Sequence, residues 1–129
     1  MECACMIDYD IDSYCMPVRS RAVMVRARKE LGCVECARPI GVGEMYEHLF
    51  SVWQQGWQID RDITRTCMNC LSVRKALFCG SWIISAIWEE VWNMIVDTEG
   101  QVSSECVLAL TPHAREQMLD MIDEYWERR

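Results

Sequence analysis

The chain has little with which to do acid–base or nucleophilic chemistry. Of its 129 residues only His48 and His113 are histidines. No serine or cysteine comes with a recognisable histidine-and-acid partner set, so an enzyme is not expected. A long apolar run is missing too: the longest apolar cluster, Trp82 to Trp88, contains Ser85 and falls far short of the roughly 20 residues that span a bilayer. Met1 to Pro17 hold neither a basic leader nor a continuous apolar stretch, so no secretory signal is expected and the protein reads as cytoplasmic. There is no internal repeat and no low-complexity tract. Bases are also scarce, 13 against 20 acids for a formal net charge of −7, which disfavours non-specific binding to nucleic acid or membrane over most of the surface.

The charge is unevenly placed. Residues 1 to 17 carry Glu2, Asp8, Asp10 and Asp12 and no base, whereas residues 18 to 29 carry Arg19, Arg21, Arg26, Arg28 and Lys29 and no acid. The Arg19–Lys29 strip is therefore the one segment suited to phosphates, although it lacks an aromatic platform beside it in the sequence. A solvated face, or a partner for the acidic N-terminal arm, is the competing reading of that strip.

What the chain does have is cysteine, nine residues in all. An odd count with metal-type spacings fits a reducing compartment better than a disulfide framework. Cys33/Cys36 and Cys67/Cys70 form two Cys-x-x-Cys pairs. Each pair can aim two sulfurs at one ion, and together they complete a tetrahedral Zn²⁺ site with bonds of about 2.3 Å. Four sulfurs leave no position for water, so such a site holds structure and does no chemistry. A thioredoxin-type redox pair would need a βαβ pattern, and none precedes Cys33. Cys3, Cys5 and Cys79, completed by Cys15 or His48, are candidates for a second zinc. The competing reading leaves these cysteines, and Cys106 with them, as buried free thiols.

Residues 18 to 31 alternate apolar side chains with arginines in a way that fits either a strand or a short helix. Arg38 to Gly43, with Pro39, Gly41 and Gly43, reads as a turn. Glu44 to Trp53 and Trp57 to Thr66 read as a hairpin, with Met45, Glu47, Leu49 and Ser51 on one side of its first strand and Tyr46, His48, Phe50 and Val52 on the other. Helix formers follow Cys67 and Cys70 up to Gly80, and placing thiolates at a helix N-terminus stabilises their charge. Ser81 to Val96 carries Ile84, Ile87, Val91 and Ile95 at helical spacing, Asp97 to Gly100 ends that helix, and Gln101 to Leu110 reads as a loop. Thr111 and Pro112 then open a last helix with Ala114, Met118, Met121, Ile122 and Tyr125 on one face.

A Cys-pair knuckle, a hairpin, then a helix bearing the second Cys pair is the order of a treble-clef zinc finger. The fold expected is α+β: a zinc-binding treble-clef-like module with an N-terminal arm over 1–80, and a C-terminal helical extension over 81–129. Arg26-Ala27-Arg28-Lys29, Cys33 and Cys36, Ile40, Gly43-Glu44 with Tyr46, Trp53, Gly56, and Thr66-Cys67 with Cys70 together resemble the small cysteine-rich treble-clef proteins of bacteriophages and prophages. The resemblance covers roughly residues 1 to 80. It implies a zinc fold and a phage setting, hence a bacterial host cell, and no reaction.

Two functions of different kinds follow. In one, a non-enzymatic phage-type zinc protein works by protein–protein binding, for example as an anti-CRISPR-like inhibitor of a host defence complex. Its partner would meet the acidic surface and the Trp-rich helices, which carry Trp82, Trp88, Trp92 and Trp126. Trp is enriched at binding hot spots, and a homodimer through the same helices is a further use of that surface. Trp88 and Trp92, one turn apart at the margin of the apolar stripe, are expected to leave part of their indole area uncovered. In the other, the Arg19–Lys29 strip binds nucleic acid and the protein is a regulator.

Overall fold

The computed structural model describes residues 17–78 and 85–128, and the described chain divides between Met68 and Asn69 into two compact units. The boundary expected at residue 80 lies outside the described residues. The first unit holds five strands, β1 (Arg19–Arg26), β2 (Leu31–Gly32), β3 (Pro39–Ile40), β4 (Met45–Gln55) and β5 (Gln58–Cys67). The helices are α1 (Met68–Leu77), α2 (Ile87–Asp97), α3 (Ser104–Leu108) and α4 (Pro112–Glu127). The class is α+β.

Period alone left residues 18 to 31 ambiguous, and pairing resolves them. β1 runs antiparallel to β4 from Arg19 opposite Val52 to Arg26 opposite Met45. β4 in turn pairs with β5, Tyr46 opposite Cys67 through to Gln55 opposite Gln58, giving the order β1-β4-β5. The hairpin turn is the two residues Gly56 and Trp57, and Gly56 adopts φ +60, the left-handed conformation that two-residue hairpin turns require. β2 and β3 form a separate small ribbon around the Cys33–Cys36 turn, with Leu31 opposite Ile40.

Strand alternation separates the charges of the main sheet. Glu47, Leu49, Ser51, Thr64 and Thr66 point to one side and are buried. Arg19, Arg21, Arg61 and Arg65 point to the other. The expected basic strip is thereby divided: Arg26 lies on the side opposite Arg19 and Arg21 and donates from Nη1 to the Gly43 carbonyl, while Arg28 and Lys29 follow the strand.

In the helical unit, Val73 and Leu77 of α1 join Phe78, Ile87, Val91, Met94, Ile95, Cys106, Val107, Leu110, Ala114, Met118 and Tyr125 in one core. The three described members of the expected α2 stripe, Ile87, Val91 and Ile95, are fully buried. The α2 start differs from expectation. Ser85 has φ +66 and Ala86 caps the helix, so the helix begins at Ile87; a left-handed residue cannot sit within an α-helix, and Ile84 lies outside the described residues. Gln101–Leu110 is likewise more than a loop, because Ser104 to Leu108 form the single helical turn α3 that buries Cys106 and Val107. Arg115 holds the end of this turn by donating from Nη2 to the carbonyls of Leu108 and Leu110.

Cys106 is buried as expected, but it is disulfide-bonded and not a free thiol. Burial does not distinguish the two states, since a half-cystine is as apolar as a thiol. No described helix is long and apolar enough to cross a membrane.

Candidate metal centre

The turn that presents the first Cys pair is built from backbone bonds. Ala37 N–H donates to the Cys33 carbonyl at 3.0 Å, and Cys33 N–H to the Arg38 carbonyl at 3.0 Å, which closes the chain on itself between β2 and β3. Ala37 takes φ +60 to make that closure. Val34 N–H donates to the Arg65 carbonyl at 2.8 Å and ties the turn to β5. The second pair needs no turn of its own. Cys67 ends β5 and Cys70 lies in the first helical turn of α1, so the strand-to-helix junction supplies both sulfurs.

The sulfurs of Cys33, Cys36, Cys67 and Cys70 all lie within 4.8 Å of one another, and none of the four is in a disulfide. Cys36 Sγ and Cys67 Sγ are 3.9 Å apart. A tetrahedron with bonds of about 2.3 Å has edges of about 3.8 Å, so the spacing fits a four-sulfur ion site. Cys33, Cys67 and Cys70 are buried, and Cys36 is partly exposed.

Two N–H groups already point at these sulfurs. Cys67 N–H donates to Cys33 Sγ at 3.3 Å, and the indole Nε1–H of Trp88 donates to Cys70 Sγ at 3.2 Å. Donors of this kind offset the charge of a thiolate, and the N-terminus of α1 adds the helix dipole to the same end. Four cysteines outside any disulfide at metal spacing, with donors aimed at sulfur, fit a metal better than a redox pair. The residues present can therefore hold a soft or borderline cation, and they leave it no open position.

The sequence placed Trp88 at the margin of the α2 stripe but carried no signal of its bond to sulfur. Trp88 and Trp92 are both partly buried against the helical core. Trp92 meets Tyr125 edge-on with ring centroids 6.5 Å apart, and Arg128 lies over its ring at 5.2 Å. Trp126 is exposed, while Trp82 lies outside the described residues. So do Cys3, Cys5, Cys15 and Cys79 of the suggested second zinc site. His48 belongs to no metal-competent group among the described residues, and His113 is exposed in the first turn of α4.

No known protein family, curated protein or solved structure matches this chain.

Proposed function

We propose that Cys33, Cys36, Cys67 and Cys70 hold one structural Zn²⁺ in a treble-clef-like module, and that the protein acts by binding a partner and not by catalysis. The observation that carries this reading is the closed set of four sulfurs, since a saturated site can fix a fold but cannot activate water. Support for the treble-clef reading comes from the order of parts: the Cys33–Cys36 turn, the β4–β5 hairpin, then α1 with Cys70.

The partner is a host protein, in line with the resemblance to phage-type zinc proteins, and a defence complex that handles nucleic acid is the concrete case. From Asn69 to Arg128 the chain carries ten acids, Glu89, Glu90, Asp97, Glu99, Glu105, Glu116, Asp120, Asp123, Glu124 and Glu127, against the four bases Arg74, Lys75, Arg115 and Arg128. That acidic surface suits a basic groove, and the exposed Trp126 at the end of α4 supplies an aromatic anchor within it. Elemental analysis of protein purified without added metal tests the first half of the proposal. One zinc per chain is expected, or two if Cys3, Cys5 and Cys79 contribute a site; a folded protein with none overturns it. For the second half, capture of a partner from bacterial lysate should be lost in Trp126→Ser and kept in Trp57→Ser; capture indifferent to Trp126 and to salt overturns this choice of surface.

A further inference from the structure

The side of the β1-β4-β5 sheet that carries arginine has a composition unlike the rest of the molecule. Alternation puts Arg19, Arg21, Val23 and Val25 of β1 on it, with His48, Phe50 and Val52 of β4 and Ile59, Arg61, Ile63 and Arg65 of β5. It holds four arginines and no acid. The acids of these strands, Glu47, Asp60 and Asp62, all point to the other side. Residues 17 to 68 carry eight bases (Arg19, Arg21, Arg26, Arg28, Lys29, Arg38, Arg61, Arg65) and six acids (Glu30, Glu35, Glu44, Glu47, Asp60, Asp62), a balance of +2 within a chain of net charge −7. The global charge that argued against nucleic acid does not describe this surface.

Register also supplies the aromatic neighbour that the basic strip lacks in sequence. Phe50 sits between Arg21 and Ile63 in one row across the sheet, His48 between Val23 and Arg65 in the next, and Val52 between Arg19 and Arg61 on the far side. Arg19, Arg21, Arg61, Val23, Ile59 and Ile63 are exposed, and Phe50, His48 and Arg65 are partly so. None of the four arginines makes an ion pair among the described residues, and the Nε of Arg65 has no hydrogen-bond partner. At the turn of the hairpin Trp57 is fully exposed.

We propose that this face binds single-stranded nucleic acid, with Arg19, Arg21, Arg61 and Arg65 on phosphates and Phe50 as a stacking platform for a base. Rows on one face of a strand repeat about every 6.8 Å and three strands are about 10 Å across, so the arginines flank a flat apolar floor on both edges. A flat floor with a central ring suits splayed, unstacked bases, which present a π-face whatever their identity. It does not suit a duplex, whose grooves admit a helix or a narrow ribbon and whose bases are hidden in the stack. Electrostatic complementarity decides against an apolar protein partner: four guanidinium groups would have to be desolvated against it. The proposal adds a second ligand surface to the binding-protein reading and depends on that reading only for a folded, metal-loaded sheet.

The test is fluorescence anisotropy of a labelled, mixed-sequence single strand, DNA and RNA in separate titrations, with metal-loaded full-length protein between roughly 50 and 200 mM salt. With four phosphate contacts, log K should fall against log salt with a slope of about −3, at about −0.7 per contact. Arg21→Gln and Arg61→Gln should each weaken binding and flatten the slope by about 0.7. Phe50→Leu should lose roughly fivefold or more, while Arg28→Gln, off the sheet, should change little. Zinc content measured on each variant separates a lost fold from a lost contact. If Phe50→Leu loses metal, the two exposed arginine variants decide alone. No binding by the parent protein at the lowest salt overturns the proposal, as does binding indifferent to Arg21 and Arg61. So does equal competition by polyglutamate, which would make the surface a site for acidic protein, or equal binding of duplex that ignores Phe50.

Discussion

The indole N–H of Trp88 donates to the sulfur of Cys70 across 3.2 Å, so a side chain of the α2 stripe takes part in setting the charge at the cysteine cluster. Outer partners of metal ligands commonly tune affinity by 10- to 100-fold. Trp88→Phe keeps most of the ring and removes the donor. It should retain helical content and zinc at equilibrium, yet release zinc to a chromogenic chelator roughly tenfold or more faster than the parent. An unchanged release rate would show that the N–H does nothing for the metal.

Removing a ligand should be far more damaging than removing a cysteine outside the cluster. Cys33→Ser and Cys67→Ser each forfeit part of a metal-binding free energy on the order of 10 kcal/mol, and should be purified without zinc and without a cooperative thermal transition in the sheet unit. Cys106→Ser should keep its zinc and lose about 2–4 kcal/mol through the missing cross-link. Acid should act like the ligand mutations. As pH falls, protons compete with the metal for the thiolates, and zinc is released. Metal analysis after dialysis across the acid range checks both.

Ala37 holds φ +60 in the turn that brings the Arg38 carbonyl back to the Cys33 N–H. The left-handed conformation costs a residue with a Cβ about 1–2 kcal/mol, and glycine returns some of that through a more disordered unfolded chain. Ala37→Gly should therefore stabilise the metal-loaded protein by up to about 1 kcal/mol, read as a higher denaturation midpoint at fixed zinc. A lower midpoint would mean that the turn is not under this strain.

Gly100 ends the α2 segment with φ +75, and its N–H donates to the Ile95 carbonyl at 2.8 Å. A Cβ there would meet Trp126 Nε1 at 2.7 Å and Tyr125 Cδ1 at 2.8 Å. Backbone strain and overpacking add, so Gly100→Ala should cost about 2–4 kcal/mol in chemical denaturation while leaving the zinc content intact.

Much of this was legible in the order of residues, and the reason is locality. A Cys-x-x-Cys pair is a short-range chelate, so Cys33, Cys36, Cys67 and Cys70 could be grouped without knowing how the chain folds. Gly56 lies in the break between the two expected strands, although Gln54 and Gln55 continue β4 and Trp57 joins Gly56 in the turn instead of opening β5. Thr111 and Pro112 marked the α4 start, although Thr111 Oγ1 donates to Asn69 Oδ1 at 2.6 Å and makes no cap bond to its own helix. The α2 stripe at Ile87, Val91 and Ile95 was readable because 3.6-residue periodicity is a local signal as well.

What the order of residues left open depended on contacts between distant segments. Within residues 18 to 31, Arg19–Arg26 became a strand because β4 offered a pairing edge, and neither propensity nor period records that edge. The left-handed Ser85 and Ala37 belong to residue types that rarely adopt that conformation, so neither announced a break or a turn. Trp88 could be assigned to a helix face but not to a sulfur, since the bond depends on where α2 lies against α1. The arginines of the open sheet are the clearest case. Arg21, Phe50 and Ile63 stand in three separate strands, and only the pairing register makes them neighbours. Sequence order determined the net charge and the ligand set; the pleat, by sending alternate side chains to opposite faces, decided which of those charges share a surface.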